Sequence, residues 1–146
     1  VRISFDEYGM ELAEVAAKRS EDPFRKVGAV GFDASNRIVS MGYNGLPAGI
    51  TIPDAVMADR DHRQRYMIHA EINLLAKCKI GEVETVYITT MPCTECFKNL
   101  AAHGVERVVY RDHYADSHAP ILAVLFGIKL ENQHEDCFGD KITNIR

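Results

Sequence analysis

The chain has 146 residues, 47% of them hydrophobic, and a formal net charge of −4 with histidines neutral. That length suits one compact domain with a real core. The acidic balance argues against bulk, sequence-blind nucleic-acid binding, and no apolar run approaches a membrane span.

Taken in chain order, residues 4–18 place Phe5, Tyr8, Leu12, Val15 and Ala16 three and four apart. This predicts a helix with one apolar face, capped by Ser4 and ended by SEDP, because proline disfavours a helical residue before it. VGAVGF (27–32) and RIVSMG (37–42) flank the turn DASN and predict an antiparallel hairpin. A long loop follows, GYNGLPAGI, in which Gly42, Gly45 and Gly49 permit turns. Residues 54–66 suggest a polar helical piece, and AEINLLAKC (70–78) a helix. TVYIT (85–89) predicts a buried strand, and CTECFKNLAAHG a helix closed by Gly104. VERVVY is a further strand, APILAVLFG an apolar helix and IKLEN a last strand.

Helices alternating with strands imply right-handed crossovers and a mostly parallel sheet covered on both faces. The expected fold class is α/β, a three-layer α/β/α arrangement with a mixed, about five-stranded central sheet. One domain is expected over residues 1–132, with a polar C-terminal tail at 133–146. No n-region plus h-region opens the chain, so the expected location is a reducing cytoplasm.

The stretch TTMPCTEC puts Cys93 and Cys96 at i and i+3 in the first turn of a helix. Their side chains can meet one ion there, and a helix N-terminus favours thiolates. Pro92 is tolerated because the first amides lack helical partners. His69 opens the preceding predicted helix, and packing can bring the two helix starts together. One imidazole and two thiolates leave one position of a tetrahedral zinc open. Cys78 and Cys137 are possible fourth ligands. Cys78, however, lies roughly 13 Å along a helix from His69, and Cys137 sits in the tail without a visible anchor. Glu71, two positions after His69, can exchange protons with a metal-bound water. A redox role for the cysteine pair leaves His69 and Glu71 unexplained. Taken alone, His69 reads as a satisfied polar residue and Glu71 as helix surface. His103, His113, His118 and His134 read as surface or locally bonded groups, and Met91 as packing.

The pairing of H-x-E with P-C-x-x-C is the signature of zinc-dependent nucleobase deaminases. Through SEDPFRKVGAV, MGYNGLP, HAEINLL, TTMPCTECFKNLAAHGVERVVY and HYADS, the chain resembles the deoxycytidylate deaminase branch, phage or viral type, of the cytidine deaminase-like superfamily. The likeness runs from about Phe5 to Leu130.

That resemblance implies hydrolytic deamination of dCMP to dUMP. It implies one catalytic Zn2+ on His69, Cys93 and Cys96, with Glu71 as proton shuttle. Asn44 would contact the sugar and Tyr114 would help close the pocket. Ala70 and the backbone from Thr90 through Pro92 to Cys93 would meet the pyrimidine edge. Arg111 is a further substrate-binding candidate. Phosphate donors, for substrate or effector, would come from Arg25, Lys26, Arg63, Arg65 and Arg111. DRDHRQRY, which carries Arg63 and Arg65, reads equally well as a solvated loop. Gly42, Tyr43 and Gly45 would help hold a dCTP activator or dTTP inhibitor with Mg2+. A homo-oligomer, typically a hexamer, in the host cytoplasm if the source is viral, completes the expectation. Leu74 stands where the family usually has a small residue, and residues 43–68 hold no cysteine, so no second zinc is expected.

Two other readings share these residues. A tRNA or single-stranded DNA base deaminase would need a basic groove with stacking aromatics, of which an acidic chain without tryptophan gives little sign. A non-catalytic zinc- or nucleotide-binding module would have no use for Glu71.

Overall fold

A computed structural model describes residues 1–134. The elements are α1 (Phe5–Ala17), β1 (Gly28–Phe32), β2 (Ile38–Tyr43), α2 (Asp54–Ala58), α3 (Arg60–Arg63), α4 (Ala70–Leu75), β3 (Thr85–Thr90), α5 (Thr94–Ala102), β4 (Arg107–Asp112), α6 (Ala119–Phe126) and β5 (Lys129–Asn132). The strands form one mixed sheet in the order β2-β1-β3-β4-β5. The mixed five-stranded sheet is as expected, but it is less parallel than the sequence suggests. The hairpin inserts β1 inside the sheet, so β1 runs antiparallel to both β2 and β3, while β3, β4 and β5 run parallel.

Side chains alternate between two cores, as a pleated strand dictates. Val30, Phe32, Tyr87 and Val109 face α1, together with Met10 and Ala13. Ala29, Val86, Ile88, Val108 and Tyr110 face the layer that carries Leu74, Phe97, Leu100 and Ala123.

The contact stripe of α1 differs from the one read from apolar spacing. Gly9, Met10, Ala13, Ala16 and Ala17 are buried, whereas Tyr8 and Val15 are 38% and 57% exposed. Small residues let this helix lie close on the sheet: a Cβ at Gly9 would stand 2.6 Å from a carbon of the Tyr87 ring. Buried Asp6 accepts a 2.6 Å bond from the Tyr87 hydroxyl and pairs with Arg107, which also reaches Glu131 on β5. The ion pair thereby ties α1 to the β4–β5 edge.

Three boundaries shift. Residues 54–66 hold two short helices, because Asp59 adopts an extended conformation and its carboxylate caps α3. The helix after His69 ends at Leu75, where the amides of Lys77 and Cys78 bond three residues back and tighten the turn. Strand β4 runs on to Asp112, whose carbonyl accepts from the Met91 amide at 2.8 Å. Ser4 does cap α1, and Gly104, with φ +87°, closes the turn after α5. No helix among the described residues is long and apolar enough to cross a membrane. The proposed tail lies almost wholly outside the described residues, as does Cys137.

Candidate active site

Both helices that carry the cysteine and histidine motifs start at the same end of the sheet. His69 is the N-cap of α4 and Cys93 the N-cap of α5, and neither side chain caps its helix. Both turn instead toward Cys96, one turn into α5. The imidazole Nδ1 lies 3.2 Å from the Cys96 sulfur and 3.6 Å from the Cys93 sulfur. One donor atom from each of the three residues falls within 4.8 Å of the others. A tetrahedral zinc with ordinary bond lengths requires N···S separations of about 3.6 Å, so the donor set fits such an ion closely. Among the described residues the group closes at three, leaving a coordination position for water or substrate. The two sulfurs are free thiols. Cys78 is not a fourth ligand in this arrangement, since its thiol contacts the carbonyls of Leu74 and Leu75.

Three segments set the approach of α4. Asn44 donates to the Arg25 carbonyl at 2.9 Å and accepts from the Val27 amide at 2.8 Å. Gly45 and Ile68 exchange backbone bonds, and Asn73 donates to the Tyr43 carbonyl. Gly42 serves packing and not turning. It sits within β2 without positive φ, and a Cβ there would stand 2.6 Å from the Leu74 amide nitrogen. Of the three loop glycines only Gly49 has positive φ.

The cluster is electrostatically asymmetric. A hydrogen bond from the Cys96 thiol, aided by His69, lowers the Cys93 thiol to about 4 against the cost of burial. The same bond, with burial, raises Cys96. The Cys93 sulfur in turn raises His69. Glu71 is 4% exposed, and burial pushes its carboxyl up to about 7, opposed by a backbone N–H and His69. With metal removed, Cys93 should therefore be almost wholly thiolate at pH 6, where an ordinary thiol of pKa about 8.5 is less than 1% ionised. Iodoacetamide at pH 6 should alkylate Cys93 far faster than Cys78, whose thiol is raised by burial. Added zinc should protect it. Peptide mass mapping reads the site, and equal labelling of Cys78 and Cys93 would contradict the asymmetry.

A cavity of about 620 Å³ opens on this cluster. Of the residues singled out from sequence, Arg25, Asn44, Arg63, His69, Ala70 and Glu71 line it, as do Thr90, Cys93 and Tyr114. The HYADS segment is held against the CxxC turn: Ser117 donates to the Pro92 carbonyl at 2.6 Å, and Thr94 accepts from the His118 amide.

Other candidates point elsewhere. Lys26 bonds the Ser20 carbonyl. Arg111 pairs with Glu14 and Asp112, and Arg65, exposed, does not line the cavity. Arg63 does not belong to a solvated loop. It is 3% exposed and paired with Asp22. Residues that sequence reasoning passed over include Asp22, Phe24, Arg60 and Gln64. Asp22 and Phe24 lie inside SEDPFRKVGAV, and Arg60 is the remaining arginine of DRDHRQRY, so the two stretches themselves are the signal that could have found them.

The sequence profile of the cytidine and deoxycytidylate deaminase zinc-binding region matches residues 3–112. The chain is 34% identical over 123 residues to the deoxycytidylate deaminase of Mus musculus, covering 79% of this chain and 69% of that one. It is 37% identical to the deoxycytidylate deaminase of Mycobacterium phage D29, covering 75% of this chain and 95% of the phage protein. Its structure is similar to the dCMP deaminase of cyanophage S-TIM5 in complex with dCMP and dUMP. That match has a TM-score of 0.76 and 25% identity and covers 91% and 99% of the two chains.

Proposed function

Since the chain belongs to the cytidine and deoxycytidylate deaminase family of zinc-dependent hydrolases, we propose that it converts dCMP and water to dUMP and ammonia. The observation that carries this reading is the buried Glu71 carboxyl on the same cavity wall as a three-donor cluster that fits zinc. The named substrate of its relatives, and the complex of the cyanophage enzyme with dCMP and dUMP, support the choice of dCMP.

His69, Cys93 and Cys96 would hold the zinc. When bound, it would supply an acidified water at neutral pH and polarise the reacting centre. Glu71 takes a proton from the attacking water and delivers it to N3 of the pyrimidine. The water oxygen bonds to C4, and Glu71 then carries that oxygen's remaining proton to the exocyclic amine. The C4–N bond breaks as the C4–O bond becomes a carbonyl, and ammonia leaves. Burial suits Glu71 to this work, because it disfavours the charged carboxylate and so helps the residue to take up and hold a proton. Ala70 and Thr90 border the space for the base, and Tyr114 and Asn44 the space for the sugar. Arg25 and Arg60 are the cavity cations open to a 5'-phosphate.

A substrate panel tests the reading. Zinc-loaded protein is given dCMP, dCTP, deoxycytidine and cytosine, and ammonia release is followed. Two charge-assisted bonds at about 1.5 kcal/mol each favour dCMP over deoxycytidine by about 100-fold in kcat/KM. Equal rates on both would remove the nucleotide reading.

Three further proposals follow, the first from the polar composition after residue 132 and the others from the resemblance. The deaminase domain ends with β5 at Asn132. The enzyme is a hexamer, of the host cytoplasm if viral. It is activated by dCTP and inhibited by dTTP with Mg2+, which rate measurements at fixed dCMP would detect.

A further inference from the structure

One wall of the cavity is held by a buried arginine that the deamination chemistry does not use. Arg63 donates from Nε to the Asp22 carboxylate at 3.2 Å and from Nη1 to the Met57 carbonyl at 3.0 Å. Its guanidinium carbon stands 4.8 Å from the centre of the Phe24 ring. These contacts join the loop after α1 to both α2 and α3.

Asp22 uses its other oxygen on the chain that leads to Arg25. That oxygen accepts from the amides of Phe24 at 2.8 Å and Arg25 at 3.0 Å. On the far side, the Arg25 carbonyl is held by Asn44. The backbone of Arg25 is thus fixed before and after its side chain. That side chain lines the cavity, with its guanidinium carbon 6.0 Å from the centre of the Tyr114 ring. Among the described residues no carboxylate pairs with Arg25. Asp22, the nearest acid in sequence, is already engaged by Arg63. Arg60 lines the same cavity, 68% exposed, and meets the Asp61 carboxylate only at 4.0 Å.

A cation on a pinned backbone, facing a cavity and left without a counter-charge, is suited to an anionic ligand group. Arg63 has the opposite character, buried and committed. We infer that Arg63 is a positioning residue for nucleotide selectivity. Without gripping the phosphate itself, it holds Asp22, and through Asp22 it sets Arg25 for the 5'-phosphate of the substrate. The inference rests on dCMP being the substrate. It adds that selection for the phosphorylated substrate depends on a residue outside the reacting atoms. Arg63 also keeps Asp22 from neutralising Arg25: with Arg63 removed, a carboxylate three residues away in the chain would be free to compete for that guanidinium.

The test compares zinc-loaded wild type, Arg25→Gln, Arg63→Gln, Arg63→Lys and the Arg25→Gln/Arg63→Gln double variant, each with dCMP and with deoxycytidine. Arg63→Gln is expected to raise KM for dCMP about tenfold or more, with kcat and the deoxycytidine rate within about threefold of wild type. Arg63→Lys keeps the charge but not the fork that spans Asp22 and Met57, so it rescues only part. The double variant should be no worse on dCMP than Arg25→Gln alone, because both changes disable one device. Equal losses on the two substrates, or additive losses in the double variant, would overturn the inference. Should Arg63→Gln not fold, Asp22→Asn, which keeps an oxygen for the Phe24 and Arg25 amides, takes its place: a loss confined to dCMP supports the inference, and equal losses on both substrates overturn it. If wild type itself shows no preference for dCMP, the substrate reading fails first. If wild type prefers dCMP and Arg63→Gln leaves that preference intact, only the positioning role fails.

Discussion

Glu71→Gln lowers dCMP turnover by about 10²- to 10⁴-fold while zinc content and dUMP binding stay near wild type. The replacement is nearly isosteric, so the packing around a residue 4% exposed is kept. What it removes is the ability to carry a proton. An amide can still donate and accept hydrogen bonds, but it cannot take a proton from water and return it to the ring nitrogen or the departing amine. Zinc stays because the three donors that fit the ion are His69, Cys93 and Cys96, and Glu71 is not among them. Ammonia release, metal analysis and dUMP titration measured on one preparation separate the two roles. Turnover within tenfold of wild type would remove Glu71 from the chemistry. Loss of zinc together with turnover would make it part of the metal site.

Which features could be read from the chain, and which could not, follows the range of the interactions. The strands were legible because a short apolar run bounded by turn residues is a local signal, and each of the five overlaps the run that predicts it. The Pro-Cys-Thr-Glu-Cys stretch was legible because an i, i+3 spacing at a helix start lets two side chains share a direction, whereas His69 and Glu71, two apart, were joined to it by the family signature. The parallel and antiparallel pairings were only partly legible, since nothing local says that β1 sits inside the sheet. The apolar spacing in α1 pointed to Tyr8 and Val15, but the close approach of helix to sheet selects Gly9 and Ala13, where no large side chain fits.

Arg63 is the clearest failure of local reasoning. Its neighbours in sequence are charged, which reads equally as a solvated loop or as an anion-binding stretch. Its partner Asp22 is 41 residues away, and burial becomes tolerable only once the carboxylate, the Met57 carbonyl and the Phe24 ring are all in place. Arg111 shows the same long-range dependence. A basic residue beside HYADS reads as a phosphate donor, but Glu14 on α1, brought close only by the fold, takes its guanidinium.

Cys96→Ala empties the metal centre and destabilises the fold together. Losing even a group that merely supports a ligand typically costs 10- to 100-fold in metal affinity, so losing a ligand should cost more than about 100-fold. At a zinc concentration near 100 times the dissociation constant, bound metal contributes about 2.7 kcal/mol, which the variant forfeits. For a chain of this size that corresponds to a fall of about 5–10 °C in Tm. Cys96 is 3% exposed, so the shortened side chain also leaves unfilled space at the start of α5. Two measurements separate these losses. Chelating the wild type should lower Tm by the metal share alone, and adding zinc should restore it. Adding zinc to Cys96→Ala should restore nothing, and the remaining deficit is the packing share. A variant that still held one zinc per chain would mean that the Cys96 sulfur is not a ligand. The open coordination position on which the deamination reading depends would then have to be found on a different set of donors.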